Sequence, residues 1–334
     1  MKSMKIAVAL AVLAGAWLHS APALAQAPYP SGTVRIVVPY PAGGAAGLVA
    51  LTLAEKLKDA LGQPVIVDNR PGGAANLGTD LVAKSAPDGL TLLLGTNGPL
   101  VINVSLMKKL PFDPLRDFAP ISYLAAIPLV LVTHAGVPAD DLKDLIALAK
   151  ARPGRLNYAS SGDGSGGHLA GALLASMADL ALTHVPYKGA NPALADIIGG
   201  HVDMLFVGYV SVIPHLKSGK LKALGMATPR RAAIAPEVPA VAETLPGFAI
   251  DSWYGLLAPA GTPPATIALL HREATRILRL PDVREKLFVQ GGLEHVGSTP
   301  EEFSATVRRG IPQSARILKI AGEKEQSSDR ISIC

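Results

Sequence analysis

Short, continuously apolar runs rich in β-branched residues recur along this chain, separated by segments whose leucines fall at helical spacing. That alternation constrains the fold more than any other feature of the sequence. Val34–Pro39 reads VRIVVP, and Val65–Asp68, Thr91–Gly95, Val130–Thr133, Leu156–Ala159, His184–Pro186, Val202–Phe206, Leu221–Ala227 and Tyr254–Ala258 repeat the type. A strand apolar on both faces must be covered on both faces. The cover lies in the intervening segments: Leu48, Leu51, Leu53, Leu57 and Leu61; Leu142, Leu145, Ile146 and Leu148; Leu169, Leu173, Leu174 and Met177. Strands alternating with helices at this interval predict an α/β fold with mainly parallel sheets. The 33 Gly and 28 Pro cluster between these segments, as at Pro71-Gly72-Gly73 and Pro87-Asp88-Gly89, so they punctuate the elements and do not interrupt them.

The N-terminus predicts export. Lys2 and Lys5 precede the apolar stretch Ile6–Trp17, and Ala23-Leu24-Ala25 has the small-x-small pattern of a cleavage site. A signal peptide over 1–25 follows, with Gln26 opening a periplasmic mature chain. The apolar stretch is shorter than the roughly 20 residues a membrane span needs. Losing Lys2 and Lys5 lowers the 31 Lys and Arg to 29, against 26 Asp and Glu. So mild and scattered a positive balance argues against nucleic acid as a partner. Cys334 is the sole cysteine, which leaves no internal disulfide and no Cys-based metal framework. Stability must come from apolar burial, and about 300 residues usually divide into two domains. The polar tail from Glu323 (EKEQSSDR) is expected to fray.

Two Gly-rich loops each follow a strand and open a helix. The first is Tyr40-Pro41-Ala42-Gly43-Gly44-Ala45-Ala46-Gly47. The second is Ser160-Ser161-Gly162-Asp163-Gly164-Ser165-Gly166-Gly167-His168, which adds hydroxyls and an imidazole. Small residues let backbone N–H groups approach a ligand, and a helix start supplies unpaired N–H groups and partial positive charge. That combination binds carboxylate or phosphate. In open α/β sheets the ligand lies beyond the carboxyl ends of the strands, so two such loops facing across a cleft would suit a dicarboxylate held at both ends.

Catalytic motifs are weak by comparison. The first loop is not G-x-G-x-x-G and lacks the lysine of a P-loop. Around Ser165, Asp163 stands where a nucleophile elbow has its first glycine. A hydrolase built on Ser165 and His168 is the enzymatic alternative, while His184, in a strand-like run, reads as a core residue. Asp140-Asp141 suits a helix cap, and Glu301-Glu302 after Thr299-Pro300 the acidic first turn of a helix. No His/Asp/Glu spacing points to a metal, and neither metal nor cofactor is expected.

The ordered set Val38-Pro39-Tyr40-Pro41-Ala42-Gly43-Gly44, Asp68-Asn69-Arg70-Pro71-Gly72, Ala86-Pro87-Asp88-Gly89, Leu110-Pro111-Phe112-Asp113-Pro114, Asn157-Tyr158-Ala159-Ser160-Ser161-Gly162, His184-Val185-Pro186-Tyr187-Lys188-Gly189 and Trp253 to Pro263 (WYGLLAPAGTP) resembles the substrate-binding proteins of tripartite tricarboxylate transporters, the Bug receptors. The similarity runs from about Tyr29 to Ala321. It implies a type II periplasmic-binding-protein fold with two α/β lobes closing on a ligand cleft, no catalytic role, and a cognate membrane permease as partner. Lobe I would comprise 26–123 and 227–324, lobe II 124–226, and the tail 325–334. Carried over by position, Tyr40, Ala42, Gly43, Gly44, Ala45 and Ala46 would cradle one carboxylate, with Thr96 and Asn97 in the same lobe. Ser160, Ser161, Gly162 and Ser165 would meet the other end, with His168 at the loop's edge. Lys188 and Trp253 complete the set, Lys188 either adding positive charge or holding a turn. The implied ligand is a di- or tricarboxylate or an aromatic acid, bound by a monomer. A sensor or interaction module on the same fold is the non-transport alternative. The sequence departs from the family where an aspartate is frequent, at Gly47, and where an Asp-Asn pair is frequent, at Val207-Gly208. The first departure disfavours an amino-acid ligand, and the second favours a less polar one.

Overall fold

The computed structural model describes residues 29–320, so the expected signal segment 1–25 and the tail 325–334 with Cys334 lie outside the described residues. In chain order the strands are β1 (Val34–Val38), β2 (Val65–Asn69), β3 (Thr91–Thr96), β4 (Phe118–Ala126), β5 (Leu129–His134), β6 (Asn157–Ser160), β7 (Thr183–Pro186), β8 (Met204–Gly208), β9 (Leu221–Met226), β10 (Trp253–Pro259) and β11 (Glu294–His295). The longer helices are α1 (Ala45–Leu61), α2 (Asn76–Ala83), α3 (Leu142–Ala151), α4 (Gly166–Met177), α5 (Ala190–Ile198), α6 (Tyr209–Lys217), α7 (Pro264–Leu278) and α8 (Pro300–Ile320).

These strands form two sheets, ordered β11-β4-β10-β3-β1-β2 and β7-β6-β8-β5-β9. The apolar runs become strands for the expected reason. Leu92, Leu93 and Leu94 of β3 are fully buried, as are Val34 and Ile36 to Val38 of β1. Each such side chain contributes roughly 1.5–3 kcal/mol. The expectation of mainly parallel sheets needs correction. β1 pairs in parallel with β2 and β3, and β6 with β7 and β8. β10 is antiparallel to both β3 and β4, β11 to β4, and β5 to both β8 and β9. The chain leaves the first sheet along β4, enters the second along β5 and returns along β10. A returning strand runs against those that left, so the passage between sheets imposes antiparallel pairs.

Part of the segment after β9 lies against the second sheet. Ala232, Ala235 and Val238 share an apolar cluster with Val130, Val132, Leu205 and Met226. The Met226 N–H donates to the Pro239 carbonyl at 2.8 Å, and the Ile250 N–H to the Ala227 carbonyl at 2.9 Å.

Helix starts carry the expected caps. The Asp141 carboxylate accepts from the Asp144 N–H at 2.8 Å. Thr299 and Glu302 form a reciprocal box: the Thr299 N–H donates to Glu302 at 2.9 Å, and the Glu302 N–H to the Thr299 hydroxyl at 3.2 Å. Gly62, at φ 66°, ends α1 in the left-handed conformation, its N–H donating to the Lys58 carbonyl. Strands β1, β3, β6, β7 and β8 all end toward one gap between the sheets, and that arrangement makes the site.

A cleft lined by helix starts

The gap is a cleft of about 430 Å³, within the range of organic-ligand sites. The first sheet contributes Tyr40 and Pro41 after β1, the opening of α1 from Gly44 to Ala46, and Thr96, Asn97 and Gly98 after β3. The second sheet contributes Ser161 and Ser165 to Gly167 after β6, Lys188 to Pro192 after β7, Leu205 to Gly208 of β8 itself and Tyr209 to Ser211 after it. Four helices, α1, α4, α5 and α6, therefore begin at this cavity. The first N–H groups of each lack an intrahelical acceptor, and the helix dipoles place partial positive charge there.

The local chemistry holds these loops in shape. The Tyr40 hydroxyl lies 2.7 Å from Thr96 Oγ1, and the Asn69 side-chain amide donates to the Tyr40 carbonyl at 2.9 Å. Burial raises the phenol pKa of Tyr40 and of Tyr254, another lining residue, so both are neutral donors. The Asn97 amide donates to the Asp251 carbonyl at 2.9 Å. Ser165 caps α4, its hydroxyl accepting from the His168 N–H at 3.2 Å. Where the sheets approach, a Cβ on Gly98 would stand 3.0 Å from the Gly164 carbonyl, a contact for which glycine leaves room.

Among the expected contact residues, Tyr40, Ala42, Gly44, Ala45, Ala46, Thr96, Asn97, Ser161, Ser165 and Lys188 line the cleft. Gly43, Ser160, Gly162, His168 and Trp253 do not. Gly43 turns the first loop at φ 87°, and Gly162 turns the second at φ 124°. Ser160 is fully buried, its Oγ 2.7 Å from His184 Nε2 and accepting from the Gly162 N–H at 3.1 Å. Trp253 is buried against Phe303, ring centroids 5.1 Å apart, behind the cleft wall.

His168 stacks on His184 at 4.1 Å with 7° between the ring planes, and His184 in turn on Tyr158 at 4.8 Å. This three-ring stack lies beneath the second loop. Burial, and then the neighbouring His168, lower the His184 pKa to about 3. Asp163, His168 and His184 bring potential metal-ligand atoms within 4.8 Å of one another, a proximity the sequence spacing did not announce. Parallel rings direct their in-plane lone pairs side by side, however. One nitrogen of each ring is already engaged, His168 Nδ1 by the Gly164 N–H at 3.2 Å and His184 Nε2 by Ser160.

Sequence reasoning marked Val207-Gly208 at the end of β8 but missed the wall around them: Ile127, Leu129, Leu205, Phe206, Tyr209, Val210, Tyr254 and Leu293. No glycine-rich loop marks the β8–α6 turn. The Gly291-Gly292 pair was a legible turn signal, and Gly292 sits at φ 61° where a Cβ would collide with Val210. Among the residues lining the cleft, Lys188 alone is charged and no carboxylate is present.

Two lobes around a cleft of helix starts define a periplasmic solute-binding fold, and the similarities agree. The model of the tripartite tricarboxylate transporter family receptor matches residues 49–322. The BugT protein of Bordetella pertussis is 38% identical over 298 residues, covering 89% of this chain and 91% of BugT. The structure of Rpa4515 from R. palustris with adipate superposes with a TM-score of 0.83 at 32% identity, covering 88% of this chain and 98% of that one. MatC from Rhodopseudomonas palustris with bound malate gives 0.81 at 33% identity, covering 87% and 100%. The chain belongs to the tripartite tricarboxylate transporter receptor family.

Proposed function

We propose that this receptor closes on a small organic carboxylate in the periplasm and delivers it to a membrane permease of the tripartite tricarboxylate type. The observation that carries the reading is the convergence of four helix starts on a cleft whose lining holds no carboxylate. Adipate in one structural neighbour and malate in another support it. The first loop, Tyr40 to Ala46 with Thr96 and Asn97, holds one face of the ligand. Ser161 and Ser165 donate from the other, while Gly43, Ser160, Gly162 and His168 shape the loops. Lys188, exposed at the mouth, draws anions in. An ammonium group finds no partner here, which disfavours amino acids.

The lobes divide at Ile127-Pro128 and near Asp251-Ser252, so residues 227–250 move with 124–226. Contacts with both lobes form only on closure, and ligand therefore shifts the population toward the closed form. The chain acts as a monomer without catalysis, exported by a cleaved signal. No helix among the described residues is long and apolar enough to cross a membrane.

Gly44→Val tests the assigned loop. Gly44 has φ −92° and ψ 176°, and a Cβ there meets nothing within 4 Å, so the variant folds. Calorimetric titration with a panel of mono-, di- and tricarboxylates should find a ligand for the wild type and a loss of affinity of about 100-fold or more in the variant, roughly 2.7 kcal/mol. Unchanged affinity in the folded variant removes the first loop from the site.

A further inference from the structure

The second sheet sorts the cleft wall by polarity. Its order places β6 between β7 and β8, with β5 beyond β8. After β7 come Lys188, Gly189 and Asn191. After β6 come the hydroxyls of Ser161 and Ser165. At the end of β8 come Val207 and Gly208, with Val210 just beyond, flanked by Leu129 of β5 and by Ile127. Polarity therefore falls across the sheet, from a cation through hydroxyls to hydrocarbon.

The apolar side is also closed over. Gly292 lies so near Val210 that a Cβ on it would overlap that side chain, and the neighbouring Leu293 is buried and lines the cavity. Most side-chain polar groups on this side are already engaged, the Gln290 amide by Glu285 at 3.1 Å among them. The Tyr209 hydroxyl donates to Glu237 at 2.9 Å, the Tyr209 N–H to the Pro128 carbonyl at 3.0 Å, and the Ser211 hydroxyl to the Gly208 carbonyl at 2.6 Å. A second carboxylate pushed into this end would lose its hydration among hydrocarbon side chains, with only the N–H groups of the α6 start facing it.

Resting on the carboxylate-receptor reading above, we propose that the cleft selects a one-headed acid, a monocarboxylate with an aromatic or branched hydrocarbon body. The carboxylate lies at the α1 and α4 starts, and the body lies between Leu129, Phe206, Val207 and Val210 on one side and Leu293 on the other. Val207 and Gly208 set the selectivity, because they end the strand that faces the body.

Gly208 is the place to test it. Its φ of −56° and ψ of 128° suit any residue. A Cβ there would meet only Ile127 Cγ2, at an ordinary 3.6 Å. Gly208 is also the N-cap of α6, where asparagine is favoured, so Gly208→Asn folds. Calorimetry compares 4-methylbenzoate, adipate and malate against both proteins. The wild type should bind 4-methylbenzoate at least about tenfold tighter than either two-headed acid, and the variant should lose at least about tenfold in that preference. Malate or adipate binding the wild type as tightly as 4-methylbenzoate overturns the proposal and leaves the receptor reading standing. A preference that survives Gly208→Asn overturns the assignment of the apolar wall. Failure of every carboxylate to bind overturns both.

Discussion

His184 should govern part of the acid stability of this protein. Its ring is buried beneath the second loop between Tyr158 and His168, and its folded pKa is held at about 3 against an ordinary 6.5. The folded state keeps this imidazole neutral, whereas the unfolded chain protonates it near 6.5. Below that pH the unfolded state binds the extra proton, so stability is complete above 6.5 and falls as pH drops toward 3. At pH 5 the unfolded chain is almost fully protonated at this site and the folded chain almost fully neutral. The loss between pH 7.5 and pH 5 is then about 2 kcal/mol. Urea unfolding at several pH values, for the wild type and His184→Gln, isolates the effect. Glutamine keeps a polar group toward Ser160 but does not titrate. The variant's stability should fall by about 2 kcal/mol less than the wild type's over this range. Equal losses would refute the claim that His184 is held neutral by burial.

Two further variants test the helix starts. Ser165→Ala removes the cap of α4 and should cost about 1 kcal/mol, lowering Tm by roughly 2 °C. Both proteins should leave an activated ester unhydrolysed, and turnover that depends on Ser165 would reopen the hydrolase reading. Glu302→Ala breaks the reciprocal box before α8, remote from the cleft lining, and should cost about 1 kcal/mol by urea unfolding with carboxylate affinity unchanged. A parallel loss of affinity would contradict the placement of the site.

The strands buried on both faces were legible because nothing else explains runs such as VRIVVP and TLLLG. The loops were legible because there are two of them, each between a strand-like and a helical segment, and the second adds hydroxyls. β4 was not, since Phe118–Ala126 carries Pro120 and Ser122 within the run. Pro120 pairs with Leu257 beside a register shift, where a missing N–H is tolerated. The antiparallel return of β10 was hidden for a different reason. Strand direction depends on which sheet the chain goes back to, and local hydropathy does not encode it. Trp253 stood in a motif-rich segment, yet alternation along β10 turns its ring onto Phe303 while its neighbour Tyr254 lines the cleft. Of the apolar wall at β8 only Val207-Gly208 was legible, through the family comparison; Phe206 and Leu205 look like core until the cavity beside them is known.

The central claim is that fixed N–H dipoles at the helix starts recognise a carboxylate. Thermal unfolding of the purified chain with matched acids and their neutral primary amides, such as 4-methylbenzoate and 4-methylbenzamide, tests it most directly. An acid at about 100 times its dissociation constant should stabilise the fold by about 2.7 kcal/mol. That raises Tm by several degrees, while the isosteric amide leaves it unmoved. Equal shifts from acid and amide, or none from any acid, would contradict the account.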